Sequence, residues 1–195
     1  MKLIQKGAEA DVYIDKNKII KIRPVKLYRI SIIDKRLRKS RTKSESKIMN
    51  EMQKIINVPK IIKTDNLEKI EMEFINGKKL SENLNVIDWK FICKEIGKIL
   101  TKMHDKNVVH GDLTTSNMVY KNKKVYLIDF GLGFYSRKIE DKAVDLHLLK
   151  QSLEAKHFSI FPRAFDIIIK NYKSVQSEEI IKRIEIIEKR GRYRN

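Results

Sequence analysis

The chain has 195 residues, 42% of them hydrophobic and 35% charged, with a formal net charge of +18 and a pI near 9.8. The apolar fraction excludes a disordered polyelectrolyte, and a single cysteine, Cys93, excludes an intramolecular disulfide or a cysteine-based zinc site. No window approaches the roughly 20 apolar residues of a membrane span, and the opening MKLIQKGAEADVYI holds too short an apolar stretch for a secretory signal.

The expectation is therefore a soluble, cytoplasmic protein with no membrane association. Its length suits one domain of ordinary size, or two small lobes sharing a cleft. The basic excess points to a polyanionic partner, nucleic acid ahead of a membrane surface. AT-rich codons also enrich Lys, Ile and Asn, but here the charge is clustered.

In chain order, Leu3 to Gln5, Val12 to Ile14 and Ile19 to Ile22 read as a meander of three strands, separated by Gly7-Ala8 and Asp15-Lys16-Asn17. A basic run follows at Lys35, Arg36, Arg38, Lys39, Arg41 and Lys43. From about Thr42 to Ile56 the spacing of Ile48, Met52 and Ile55 predicts a helix, stopped by Val58-Pro59. Ile61 to Thr64 and Lys69 to Phe74 fit two more strands, and Asn76-Gly77 a turn. The second half reads as mainly helical. Asp88 to Asp105 is amphipathic, with Cys93 as a small buried hydrophobe. Short β runs lie near 118–120 and 125–128, and helices over 141–156, 162–172 and 177–190. The fold expected is α+β and bilobal: a small sheet with one main helix over 1–77, and a reduced helical lobe over 78–195.

His110-Gly111-Asp112-Leu113-Thr114-Thr115-Ser116-Asn117 carries the strongest chemistry. Twelve residues beyond Asn117 the strand Val125 to Ile128 runs into Asp129-Phe130-Gly131. An Asp, an Asn five residues on, then a strand ending in Asp-Phe-Gly is the order found in protein kinases. Phosphoryl transfer needs positioning and charge neutralisation more than covalent help. Asp112 suits the base that orients the attacking hydroxyl or water. Asn117 and Asp129 supply hard oxygen ligands for Mg²⁺.

A kinase also needs a strand lysine for the α- and β-phosphates of ATP, and Lys21 is the candidate. Glu45 shares the helix face of Ile48 and Met52 and is the expected partner of Lys21, whereas Glu51 falls off that face. Gly7, Ala8, Glu9 and Ala10 lie where a glycine-rich loop would sit. The backbone of Glu73 and Ile75 is placed to bond adenine.

These residues resemble a known family. His-Gly-Asp-Leu-Thr-Thr-Ser-Asn at 110–117, Asp-Phe-Gly-Leu at 129–132, Glu-Asp-Lys-Ala-Val-Asp-Leu at 140–146 and Gly-Ala-Glu-Ala at 7–10 look like the RIO-related small atypical kinase/ATPase of the KEOPS (EKC) complex, the PRPK-like family. Arg41-Thr42 followed by Glu45, and the tail Lys189-Arg190-Gly191-Arg192, are also similar. The resemblance covers essentially the whole chain. It implies an ATP- and Mg²⁺-dependent subunit beside the threonylcarbamoyl-transferase and other KEOPS subunits, supporting threonylcarbamoyladenosine at position 37 of tRNA. Autophosphorylation or Ser/Thr protein phosphorylation is the implied secondary activity.

Departures from ordinary protein kinases shape the expectation. Gly111 replaces the Arg that pairs with a phosphorylated activation loop. No Ala-Pro-Glu follows Gly131, so the peptide-docking platform is missing. Thr114 stands where a γ-phosphate lysine is common. His110 and Asp145 are expected to brace the catalytic loop, while His104, His147 and His157 read as packing or surface residues. Arg38, Lys39 and Arg41, and the tail residues Arg190, Arg192 and Arg194, are the candidate nucleic-acid contacts. Two further readings stand beside this one: a free-standing RIO-like serine/threonine protein kinase, and a non-catalytic tRNA-binding scaffold.

Overall fold

Alternating β-branched residues at the start of the chain form an antiparallel meander of β1 (Lys2–Lys6), β2 (Asp11–Asp15) and β3 (Lys18–Ile22). The computed structural model describes residues 1–192. β4 (Ile61–Thr64) and β5 (Lys69–Glu73) complete a five-stranded sheet in the order β1-β2-β3-β5-β4. One face of this sheet packs on α1 (Ser31–Met52), whose Ile48, Met49 and Met52 are buried with Ile70 and Met72 of β5.

α1 differs at both ends from the helix expected over 42–56. Its first three turns lack an apolar stripe, and Asp34 is the only residue buried between Ser31 and Arg41. Ion pairs hold this stretch instead. Arg38 Nε bonds Asp34 at 2.7 Å and its other arm reaches Glu68, while Arg41 pairs with Glu9. The expected last turn is a series of tight turns, with the N–H groups of Ile55 and Ile56 both returning to the Met52 carbonyl.

Beyond Gly77 come β6 (Lys78–Lys79), α2 (Leu80–Asn83), a 3₁₀ turn at Leu84–Val86, and α3 (Trp89–Asp105). Asp88 caps α3 by accepting from the Phe91 N–H at 3.2 Å. Ile92, Cys93, Ile96, Leu100 and Met103 form the buried face of α3, and burial pushes the Cys93 thiol up to about 12. At Gly97 a side chain would run into the Ile168 carbonyl and Asn171, so glycine sets how closely α3 approaches α5 (Arg163–Asn171).

β7 (Val108–Val109) leads into the loop that ends in a 3₁₀ turn at Thr115–Asn117. β8 (Met118–Lys121) and β9 (Lys124–Leu127) form a hairpin through Asn122 and Lys123, both at positive φ, and β8 also pairs with β6. β10 (Phe134–Tyr135) pairs with β7. α4 (Ile139–Lys156), α5 and α6 (Ser177–Arg192) close the lobe, each starting and ending within two residues of expectation. The two-residue strands and α2 are too short to register in sequence periodicity. One buried cluster runs from Ile48 to Ile184 through both lobes. Among the described residues no helix is long and apolar enough to cross a membrane.

Candidate active site

The loop between β7 and β8 is fixed from beneath. Asp145 of α4, fully buried, accepts from the backbone N–H groups of His110 at 2.6 Å and Gly111 at 2.9 Å. His110 is buried against Phe130. Its Nε2 donates to the Ile128 carbonyl at 3.2 Å and its Nδ1 accepts from the Asp112 N–H at 3.4 Å, bonds that assign the ring proton to Nε2. His110 therefore ties this loop to the segment that carries Asp129. Asn117 donates from Nδ2 to both the carbonyl (2.9 Å) and the carboxylate (2.8 Å) of Asp112. Those two bonds hold the two residues side by side.

Two residues read from sequence as packing or surface belong to this scaffold. His104 is buried, with Nδ1 2.8 Å from the Tyr172 hydroxyl and Nε2 3.4 Å from Asp145. His157 is also buried, bridging Asn85 (2.8 Å) and the Thr115 hydroxyl (3.1 Å), and the Thr115 N–H donates to Ser152 at 3.0 Å. Sequence spacing holds no sign of these bonds, since each spans tens of residues.

Across the cleft, Lys21 of β3 lies 2.9 Å from Glu45 of α1 and also pairs with Asp129. Burial alone would lower the Lys21 pKa, but Glu45 and Asp129 outweigh it and hold the ammonium above the ordinary lysine value. Burial would likewise raise the Asp129 pKa. Lys21, with the Gly131 N–H at 3.0 Å, outweighs that and keeps the carboxylate below its usual range. Asp129 adopts φ 64°, a left-handed conformation that Asp tolerates better than most residues. The sequence reading missed Arg23. It is 2% exposed, and its guanidinium lies 2.5 Å from Glu45 and 3.1 Å from the Thr42 hydroxyl.

Lys21, Glu45, Asn117 and Asp129 line one cavity of about 250 Å³, whose apolar walls include Val12, Ile19 and Val119. Met72, Glu73 and Ile75 also line it, and the Ile75 N–H makes no hydrogen bond among the described residues. Gly7, Ala8, Glu9 and Ala10 sit beyond the lining as a tight turn, closed by a 3.0 Å bond from the Gly7 N–H to the Ala10 carbonyl. Glu9 is gripped by Arg29 (2.9 Å) and Arg41. Burial would raise its pKa, but the two guanidiniums hold it below the usual range.

The expected nucleic-acid contacts fare unequally. Arg38 and Arg41 are engaged in the ion pairs described, whereas Lys39 is exposed and makes no salt bridge among the described residues. Arg190 pairs with Glu140 at 3.1 Å. Arg194 lies outside the described residues, and so does the side chain of Arg192.

The donor set fits Mg²⁺. Asp129 offers one carboxylate and Asn117 an amide oxygen, and no group of three or more His, Cys, Asp or Glu that could hold a metal occurs among the described residues. Mg²⁺ at nucleotide sites takes one or two protein oxygens and completes its shell with phosphates and water, unlike an all-protein cage.

The RIO domain model matches residues 11–144. The KEOPS complex subunit Bud32 of Pyrococcus abyssi is 41% identical over 213 aligned positions, covering 100% of this chain and 97% of that protein. A probable bifunctional tRNA threonylcarbamoyladenosine biosynthesis protein of Methanococcus vannielii is 42% identical over 98% of this chain, which spans 36% of that longer protein. Among solved structures, the Rio2 kinase–ADP/Mg²⁺–phosphoaspartate complex from Chaetomium thermophilum superposes with a TM-score of 0.67 at 14% identity, covering 100% of this chain and 72% of that one. The last likeness concerns the fold alone.

Proposed function

This chain belongs to the RIO-domain family of kinase-like proteins and, within it, to the Bud32 family of KEOPS subunits, and we propose that it cleaves Mg²⁺-ATP in support of threonylcarbamoyladenosine formation at position 37 of tRNA. The observation that carries this reading is that Lys21, Glu45, Asn117 and Asp129 line one cavity, with Asp112 held at its edge by the 2.8 Å bond from Asn117.

In this reading Ile19 and Val119, which line the cavity, would flank the adenine, and the Glu73 carbonyl and the Ile75 N–H would meet its edge. Lys21 neutralises the α- and β-phosphates. Asp129 and Asn117 would hold Mg²⁺, which would supply charge neutralisation for the transferred phosphate. Asp112 accepts the proton of the attacking hydroxyl, whose oxygen bonds the γ-phosphorus as the β–γ bridge breaks. Water is the principal acceptor. The segment between Gly131 and α4 is too short to build a peptide platform, so autophosphorylation and Ser/Thr protein phosphorylation are secondary.

A threonylcarbamoyl-transferase neighbour is supported by the bifunctional relative, most of which lies outside the part this chain matches. Other KEOPS subunits follow from the name of the Pyrococcus relative. For tRNA, support comes from exposed cations along α1. Lys35, Arg36, Lys39, Lys43 and Lys47 are all exposed and make no salt bridge among the described residues. The basic tail with Arg190, Arg192 and Arg194 extends the same proposal. Such a subunit works in the cytoplasm, where tRNA is modified.

The test is phosphate release and protein-bound label from γ-labelled ATP with Mg²⁺, for the chain alone and with tRNA and the transferase partner. Stimulated free phosphate that disappears in Asp112→Ala and Asp129→Ala is the expected result. Label mainly on a separate protein would favour a free-standing RIO-like protein kinase. Bound tRNA without turnover in any mixture would leave a scaffold.

A further inference from the structure

The Lys21–Glu45 pair does not stand alone. The two oxygens of the Glu45 carboxylate are divided: Oε1 lies 2.9 Å from Lys21 and Oε2 lies 2.5 Å from Arg23. Lys21 and Arg23 are two residues apart on one extended stretch, so their side chains leave the same face of the sheet. The Arg23 N–H bonds the Glu68 carbonyl at 2.9 Å, which carries the strand pairing past the end of β3. Its Nη1 donates to Thr42, one helical turn before Glu45. The guanidinium thus reads two successive turns of α1. Its Nε is buried with no hydrogen-bond partner among the described residues. Charge, more than a full set of hydrogen bonds, keeps Arg23 in the interior.

The neighbourhood is charge-balanced. Lys21 and Arg23 face Glu45 and Asp129, and Glu45 is fully buried. Gly131 makes the arrangement possible, because a side chain there would meet Asp129, Lys21 and Arg23 within 3.4 Å. Nucleotide binding asks two members for new partners: Lys21 for phosphate oxygens, Asp129 for Mg²⁺. A buried carboxylate is tolerated only while a cation faces it. If Lys21 were the sole counter-ion of Glu45, that obligation would compete with its hold on phosphate.

We infer that Arg23 is a positioning residue, the standing counter-ion of Glu45 that fixes α1 against β3 and leaves the Lys21 ammonium available to the nucleotide phosphates. The inference rests on the ATP-cleaving reading, and it gives α1 a fixed place without an external switch. In an ordinary kinase the single Lys–Glu contact must be assembled, and the position of this helix is a point of control. Here two residues of one strand hold the same carboxylate.

The experiment is a cycle of Arg23→Met, Arg23→Lys, Glu45→Gln and Arg23→Met with Glu45→Gln, read by Mg²⁺-ADP affinity in calorimetry and by kcat and KM for ATP. Thermal melting without nucleotide reports folding of each variant. Arg23→Met should weaken Mg²⁺-ADP binding by about tenfold or more, the scale expected when a binding group loses its alignment. It should raise KM in the same proportion. Arg23→Lys should recover most of the loss, and Arg23→Met should cost little further once Glu45 is Gln. Wild-type affinity in a folded Arg23→Met, or an equal loss with and without Glu45, overturns the inference. Should Arg23→Met be unfolded, Arg23→Lys against Glu45→Gln decides: near-wild-type affinity in the first and loss in the second supports it, and loss in both sinks it. A wild-type chain that binds no Mg²⁺-ADP would refute the ATP-cleaving reading itself, a result separable from any variant effect.

Discussion

Gly111 lies flat against the backbone of Leu132, so that a side chain at Gly111 would strike the Leu132 carbonyl. It also adopts φ 77°, a region costing an L-residue about 1–2 kcal/mol. The segment after Asp-Phe-Gly is thereby held by backbone. Phe134 and Tyr135 pair with Val109 and Val108, and the Ser136 N–H bonds the Asn107 carbonyl at 2.8 Å. Tyr135 also donates to Glu51 of α1 at 2.6 Å. Phosphorylation is not needed to order a segment already paired in this way. Gly111→Arg, which restores the residue of ordinary kinases, should destabilise the fold by at least about 2 kcal/mol through strain and clash together. Urea unfolding checks this, and a stable, active Gly111→Arg would show that the close packing is dispensable.

Asp112 and Asp129 should fail differently. Asp112→Asn removes the proposed proton acceptor but keeps the shape and the neighbourhood of Asn117, so turnover should fall about 100-fold or more while Mg²⁺-nucleotide affinity is retained. Asp129→Asn removes the carboxylate that pairs with Lys21 and is proposed to hold Mg²⁺, so affinity itself should drop and should respond weakly to Mg²⁺. Calorimetry beside steady-state kinetics separates the two. Parallel losses of affinity in both variants would argue against distinct roles.

The proposed catalytic loop stood out in the sequence because Asp112, Asn117 and Asp129 follow at a spacing that a loop and one hairpin can satisfy, and the structure places Asn117 2.8 Å from Asp112. Glu45 was legible from helix periodicity, which put it on the face of Ile48 and Met52, and Lys21 from its place on the third strand; the two lie 2.9 Å apart. Arg23 was not, since it follows the last residue of β3, where a basic residue ordinarily reads as a solvated end. The first turns of α1 were invisible for a related reason. They carry no buried apolar stripe, and periodicity detects only helices stabilised that way. His104 and His157 act through partners 41 to 72 residues away, a separation that no local pattern encodes.

The pairing of Glu9 with Arg29 and Arg41 separates two roles that the basic run suggests. Arg41→Gln should loosen the 7–10 turn and weaken nucleotide affinity several-fold, with RNA binding little changed. Charge reversal at Lys39 and Lys43, exposed on α1, should do the opposite. Every cation taken off a phosphate should lower the salt slope of tRNA binding by about one. Fluorescence anisotropy with labelled tRNA across a salt series measures this. An unchanged slope in the double reversal would remove α1 from the RNA surface.

His157 gives a pH dependence whose sign is fixed. Burial, followed by the charge of Lys156, lowers its pKa from the ordinary 6.5. The unfolded chain therefore binds this proton more readily than the folded one. Its stabilising contribution is complete above about pH 6.5 and is lost as pH falls toward the lower folded value. Protonation disturbs the bond to Thr115, two residues before Asn117, so loop order should decline with stability. Urea midpoints of the wild type should fall between pH 7 and 5, and His157→Gln should show a shallower fall. The same variant should be weaker by about 1–3 kcal/mol at pH 8, where Thr115 and Asn85 lose a buried partner. Equal slopes in the two proteins would assign the acid sensitivity to carboxylates elsewhere and leave His157 as packing alone.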